Sequence, residues 1–114
     1  MHEGSFARAI LLSVRREAQR AGMRRVLKIK VLIGEAHAVV EEFLKTMFDM
    51  MKGEYGLGEA ALEVEKVELE VKCPACGKIY HPRDPVFICP ECGTPGGEIL
   101  RGNELHLLSI EGEK

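Results

Sequence analysis

Several features are missing from this 114-residue chain. It has no tryptophan, no basic-then-apolar leader, and no apolar run of the roughly 18 residues that a membrane helix needs. We therefore expect neither a membrane span nor a secretory signal, and we predict a cytoplasmic protein. The length fits one modest domain, or one domain with a small appendage.

An excess of positive charge is also missing. Sixteen Lys and Arg residues stand against 18 Asp and Glu residues, which gives a formal net charge of −2. Because nucleic-acid binding needs a basic surface, this balance argues against nucleic acid as a partner. Basic residues are nevertheless concentrated near the start of the chain, at Arg8, Arg15, Arg16, Arg20, Arg24, Arg25, Lys28 and Lys30. They indicate a solvated helix face or a docking surface for an acidic partner.

Patterns typical of catalysis are absent as well. The chain shows no Ser-His-Asp order, no distinctive carboxylate pair and no glycine loop for phosphate. Gly56-Leu57-Gly58 is too short for such a loop and follows a predicted helix. These patterns therefore supply no candidate catalytic residues.

Apolar periodicity predicts two helices. The first spans 5–21, with Ser5 as its N-cap and Gly22 as its stop. The second spans about 40–55, and its apolar positions recur at helical spacing. The side chains expected to face the core from this second helix are Val40, Phe43, Leu44, Met47, Phe48 and Met51.

Three strands are predicted with the helices. Over 26–33 the apolar residues alternate with lysines, which predicts that Leu27, Ile29, Val31 and Ile33 face one way. Over 62–72 the alternation changes phase at Lys66–Val67, which indicates a bulge or a strand that passes into another environment. The third strand, 104–111, is expected to bury Leu105 and Leu107.

These elements predict an α+β fold. A small three-stranded sheet packs with two helices, and a four-cysteine, zinc-ribbon-like subdomain is inserted before the last strand. The predicted boundaries are 1–72 with 101–114 for the α/β domain, and 73–100 for the proline- and glycine-rich insertion.

The cysteines form two copies of one short motif. Cys73 and Cys76 close the first Cys-x-x-Cys, and Cys89 and Cys92 close the second; each pair is followed by glycine. Two such knuckles facing one another complete a tetrahedral four-sulfur site, for which zinc is the typical ion. Rubredoxin-like iron and two disulfides are the alternatives, although a chain without an export signal should keep its thiols reduced. With all four positions filled by sulfur, the site is expected to be structural.

The first three residues offer a second kind of metal site. The Met1 amine, the His2 backbone nitrogen and the His2 imidazole can supply three nitrogens in one plane, which suits Ni(II) or Cu(II). One coordination position stays open. Its candidate ligands are Glu3, His37, His81, His106 and water.

Taken together, Met1-His2-Glu3, the helix after it, the Ile33-Gly34 strand end and the four cysteines resemble the HypA family of nickel-incorporation proteins. Gly58-Glu59-Ala60-Ala61-Leu62 and Gly102-Asn103-Glu104-Leu105 extend the resemblance along the whole chain. A departure is Gly4, where the family usually carries a larger apolar residue.

The resemblance implies a nickel metallochaperone, not an enzyme, that serves hydrogenase and, in some organisms, urease maturation. It implies that nickel is transported at His2, with the Met1 amine and Glu3 as accessory groups, and that the zinc is structural or regulatory. A nickel-delivery GTPase and the hydrogenase large subunit are the implied partners. Two alternatives remain, a zinc-ribbon nucleic-acid or protein-interaction module and a rubredoxin-like electron carrier. The sequence leaves the choice between monomer and homodimer open.

Overall fold

The computed structural model describes residues 3–83 and 86–114. Within these ranges the chain forms two α-helices and two three-stranded sheets, so the predicted α+β class is confirmed. The elements are α1 (Glu3–Arg20), β1 (Arg25–Gly34), α2 (Glu41–Met51), β2 (Ala61–Val67), β3 (Glu70–Lys72), β4 (Ile79–Tyr80), β5 (Glu98–Arg101) and β6 (Leu105–Glu113). Among the described residues, neither helix combines the length and the continuous apolar surface of a membrane span.

The chain divides into two compact units. The first takes in the chain up to Leu32, Val39–Glu65 and His106–Lys114, and so holds both helices. The second takes in Ile33–Ala38 and Lys66–Leu105, and so holds all four cysteines. Residues 73–100, the predicted insertion, lie wholly within the second unit.

The larger sheet has the strand order β2-β1-β6. Lys28 pairs with Glu63 at 3.0 Å and Lys30 with Glu65 at 3.9 Å, so residue numbers rise together along β1 and β2. These two strands are therefore parallel. A parallel pair needs a long crossover, and α2 lies within that connection.

Strand β6 runs along the opposite edge of β1. Arg25 pairs with Glu113 and Lys28 with Glu111, so residue numbers run in opposite directions and the strands are antiparallel. No residue of β6 is fully buried: the expected burial of Leu105 is wrong, since it is 41% exposed, and Leu107 is only half-buried. Side chains project from the faces of a sheet, so their burial depends on what covers each face, and neither face of this edge strand is completely covered.

Helix α1 presents an apolar face to the core of the first unit. Its buried apolar residues are Ala7, Ile10, Leu11, Val14 and Ala18. The predicted N-cap is wrong, because the helix already includes Glu3 and Ser5 lies inside it, exposed. The predicted stop is confirmed: Gly22 adopts φ +68°, and Met23 N–H donates to Ala18 O at 2.9 Å.

Helix α2 packs against α1. Leu44 and Phe48 are completely buried, as predicted, and the helix tightens into a 3-10 turn at Lys52–Tyr55. Phe43 is 61% exposed and Val40 is also exposed, so their predicted core positions are wrong. The apolar stripe is wider than the helix face that α1 covers.

Strand β1 confirms most of its predicted inward face. Ile29, Val31 and Ile33 are buried, but Leu27 is 38% exposed and Val26 is buried instead. The alternation therefore shifts by one residue near the start of the strand. Such a local shift leaves no mark in a regular apolar pattern.

The predicted strand over 62–72 is two strands. β2 belongs to the larger sheet, whereas β3 lies in the centre of a second sheet of order β4-β3-β5. Leu62 is buried in the first phase and Val67, Leu69 and Val71 in the second. The phase change at Lys66–Val67 thus marks a chain that leaves one sheet for another environment, as its pattern indicated.

Candidate metal sites

Both Cys-x-x-Cys segments fold into the same turn. Gly77 N–H donates to Cys73 O at 3.0 Å, and Gly93 N–H donates to Cys89 O at 2.9 Å. Both glycines have positive φ, +78° and +75°, which only glycine adopts without cost. In each turn the first cysteine is buried and the second is exposed.

The two turns bring all four sulfurs together. Sγ of Cys73 lies 3.6 Å from Sγ of Cys92, and Sγ of Cys76 lies 3.6 Å from Sγ of Cys89. All four sulfurs lie within 4.8 Å of one another, and none forms a disulfide. Four thiolates about 2.3 Å from one tetrahedral ion would lie about 3.8 Å apart, so the cluster has the dimensions of a four-sulfur metal site.

Backbone N–H groups donate hydrogen bonds to two of the sulfurs and so stabilise their thiolate form. Ala75 N–H donates to Sγ of Cys73, and Glu91 N–H donates to Sγ of Cys89, each at 3.4 Å. Hydrogen bonds from backbone amides, first of all that of Cys76, lower the pKa of Cys73. The two knuckles therefore use equivalent amides to stabilise thiolates.

The two exposed cysteines are electrostatically unequal. The Thr94 hydroxyl, 3.1 Å from Sγ of Cys92, is the main cause that lowers the pKa of that thiol to about 6. The amide of Lys78 favours the Cys76 thiolate, but desolvation and the neighbouring sulfurs outweigh it and raise the pKa of Cys76 to about 12. Four thiolates this close need a cation to balance their charge.

The cluster is supported by a small core. Cys73 and Cys89 pack with Leu69, Val71 and Tyr80. The Tyr80 hydroxyl donates to Gly96 O at 3.5 Å, and desolvation raises the pKa of that phenol. The buried half of the site is thus apolar, which restricts its access to water.

The predicted N-terminal ligands can be located only in part. Met1 and His2 lie outside the described residues, whereas Glu3 is the first residue described. Glu3 is 6% exposed, and its Oε2 accepts a hydrogen bond from Val40 N–H at 3.0 Å. That hydrogen bond is the largest cause that lowers the pKa of Glu3 to about 2.

The three remaining histidines occupy separate places. His37 Nε2 lies 3.2 Å from Asn103 O, and His81 Nδ1 lies 3.0 Å from Leu69 O. His106 is exposed on β6. Over residues 3–83 and 86–114, the only group of three or more His, Cys, Asp or Glu side chains close enough to share an ion is the cysteine cluster.

Two contacts at these sites were not predicted. Thr94 follows Cys92 by two residues, so a hydroxyl at that spacing was the available signal for its contact with the sulfur. The bond between Glu3 and Val40 had no signal, because its donor is a backbone amide that every residue except proline carries.

Comparison with known proteins identifies the family of this chain. The family model for hydrogenase/urease nickel incorporation, metallochaperone, hypA, matches residues 1–112. The hydrogenase maturation factor HypA of Dehalococcoides mccartyi strain 195 is 32% identical over 111 residues, which cover 97% of this chain and 93% of that protein. The protein of the same name from Chloroflexus aggregans is 34% identical over 112 residues, which cover 97% and 98%.

The fold agrees with a solved structure. The solution structure of the Ni metallochaperone HypA from Helicobacter pylori superposes with a TM-score of 0.70 and 24% identity, and covers 99% of this chain and 98% of that one. At this identity the likeness bears on the fold alone. The family match and the two maturation factors establish membership: the chain belongs to the HypA family of hydrogenase and urease nickel-incorporation metallochaperones, which are not enzymes.

Proposed function

We propose that this chain carries Ni(II) at its N-terminus and delivers it to the hydrogenase large subunit, with urease as a second client. The Met1 amine, the His2 backbone nitrogen and the His2 imidazole would bind the ion, and Glu3 would be an accessory group. The observation that carries the proposal is the family match over residues 1–112, which includes both Met1-His2-Glu3 and the four cysteines.

The chemistry of the terminus suits a carrier. An amine, a deprotonated amide and an imidazole prefer the tetragonal geometry of Ni(II) over the tetrahedral geometry of Zn(II). Three ligands leave one coordination position open. A ligand of the receiving protein can bind there before the first three ligands dissociate. A fully enclosed site would release the ion far more slowly.

The four cysteines, we propose, hold Zn(II). Sulfur ligands in a tetrahedral arrangement favour zinc, and four of them leave no position for a substrate. The ion would therefore have a structural role, in which it ties two turns and the short strands β3, β4 and β5 into one unit. A rubredoxin-like iron centre would make the purified protein red, so its colour distinguishes the two ions.

The partners would be a nickel-delivery GTPase and the hydrogenase large subunit, met in the cytoplasm. Arg8 and Arg16 on α1 are exposed and form no ion pair within the described residues, so they are available to an acidic surface. The Arg15 guanidinium lies 5.2 Å from the ring centre of Tyr55. It therefore already has a cation–π contact within the first unit. Charge reversal at Arg8 and Arg16 should weaken the complex with the GTPase, and an unchanged complex would remove this surface from the proposal.

The experiment that tests delivery measures nickel in the client. In a strain that lacks this protein, we expect the native chain to restore nickel in the hydrogenase large subunit and His2→Ala to fail. Gln19→Ala, which removes an exposed polar side chain near the end of α1, is the control and should restore it. If His2→Ala restores nickel as well as the native chain, the N-terminal carrier site is wrong.

A further inference from the structure

Glu3 is the one buried charged residue in the described part of the chain. A buried carboxylate needs compensation, because loss of water costs far more than one neutral hydrogen bond returns. Glu3 is also the first described residue of α1 and directly follows the proposed nickel ligands in the sequence.

One partner of this carboxylate lies at the start of α2. Glu3 Oε2 accepts the backbone N–H of Val40, and Val40 is the N-cap of α2. The valine side chain has no oxygen with which to cap the helix itself. A carboxylate there complements the positive end of the helix, so the start of α1 is fixed to the start of α2.

The next residue provides a second contact between the same helices. A Cβ placed on Gly4 would lie 3.3 Å from Cε of Met47, so the Met47 methyl group packs directly over Gly4. Two consecutive residues after His2 are thus fixed on α2, one by a hydrogen bond and one by packing.

From this arrangement we infer that Glu3 is a positioning residue for the nickel site and not a side-chain ligand. Its carboxylate accepts the Val40 amide and so holds the backbone directly after His2, next to the proposed ligands in the sequence, on the start of α2. The inference rests on the proposed function and assigns the role of the accessory group in it. The open nickel position is then left to solvent or to a ligand from the receiving protein.

Three substitutions separate an anchor from a ligand. Glu3→Gln keeps a side-chain oxygen at the right distance for Val40 N–H but removes the charge. Glu3→Asp keeps the carboxylate but shortens the reach by one methylene, and Glu3→Ala removes both. Glu35→Gln is the matched control. Glu35 Oε1 also accepts a hydrogen bond from a backbone amide, that of Leu69 at 2.8 Å, but Glu35 lies in the second unit, which holds the cysteines.

The measurement is a nickel titration of the full zinc-loaded chain with a native terminus, followed by visible absorption of the bound ion. We expect Glu3→Gln and the Glu35→Gln control to keep wild-type affinity and spectrum. Glu3→Asp and Glu3→Ala should both weaken nickel binding by about tenfold, as loss of a supporting partner usually does. If Glu3→Gln shifts the spectrum and binds as poorly as Glu3→Ala, the carboxylate is a ligand and the inference is wrong; wild-type binding by Glu3→Ala would also overturn it.

Hydrogen exchange at the Val40 amide, measured without nickel, separates this inference from the proposed function. Protection should be kept in Glu3→Gln and lost in Glu3→Asp and Glu3→Ala. Unchanged protection in Glu3→Ala would contradict the anchor even if nickel binds. If the native chain binds no nickel, the carrier proposal and the positioning role fall together, and protection at Val40 still reports on the contact itself.

Discussion

Equivalent cysteines of the two knuckles have different electrostatic environments. Cys76 and Cys92 are both the exposed second cysteine of a turn, yet the pKa of one is raised and that of the other lowered. Thr94, two positions after Cys92, lowers the pKa of Cys92, whereas at Cys76 desolvation and the neighbouring sulfurs outweigh the amide of Lys78 and raise the pKa. A hydroxyl close to the sulfur stabilises a thiolate directly.

This difference predicts the effect of Thr94→Val. Without the hydroxyl the pKa of Cys92 should rise toward its ordinary value, so protons compete with zinc and affinity falls by about tenfold. The loss should grow as the pH falls from 8 toward 6, because only the wild-type thiol stays ionised in that range. Competition with a colorimetric zinc chelator measures it.

Thr94→Ser is the control for that substitution, since it keeps the hydroxyl and should bind zinc as the wild type does. Equal affinity of the valine and serine variants at every pH would mean that the Thr94 hydroxyl does not support Cys92.

At the scale of the elements, helix α2 carries two phenylalanines in opposite environments. Phe48 is completely buried and Phe43 is 61% exposed. Phe48→Ala should lower the free energy of unfolding by about 3–5 kcal/mol, because it leaves a cavity in the core. Phe43→Ala should change it by less than about 0.5 kcal/mol, as surface substitutions usually do.

Urea unfolding of the zinc-loaded protein measures both values. Phe43→Ala serves as the control for Phe48→Ala, since it makes the same chemical change in the same helix. A similar loss for both variants would contradict the placement of α2, because Phe43 would then also lie in the core.

Sequence periodicity predicts which elements form better than it predicts what covers them. Gly22 was a reliable stop because the left-handed backbone there is a local property. Phe43, Leu27 and Leu107 were expected inside, yet they lie partly or largely in solvent. Their burial depends on which neighbouring element covers each face. The apolar pattern of a single strand or helix contains no information about that neighbour.

The metal sites divide in the same way. The spacing of Cys73, Cys76, Cys89 and Cys92 predicted a sulfur cluster because each turn is local and pairs of turns have few ways to meet. The hydrogen bond between Glu3 and Val40 joins residues 37 positions apart, and neither residue type predicts it.

At the scale of the whole molecule, both helices belong to one unit and all four cysteines to the other. The apolar cluster around the cysteines is small, and Leu69, Val71 and Tyr80 are its buried side chains besides Cys73 and Cys89. Zinc bound by four thiolates contributes about 10–16 kcal/mol in isolated finger peptides, so the ion should stabilise this unit selectively.

Zinc removal should therefore affect the two units unequally. After chelation under reducing conditions, we expect amide protection to be lost in β3, β4 and β5 while the helical circular dichroism of α1 and α2 remains. Exchange followed by mass spectrometry measures the first and far-ultraviolet spectra the second. If the helical signal collapses together with the protection, the first unit does not fold without the ion.

The central claim is a nickel site built from the amine and the first histidine of the chain. Calorimetric titration of Ni(II) into zinc-loaded protein near pH 7 tests it directly. Three proteins are compared: the native chain, the chain with one residue added ahead of Met1, and His2→Ala. The account predicts one bound nickel in the native chain and its loss in both variants. Equal binding by the extended chain would contradict it, because the amine would then not be a ligand.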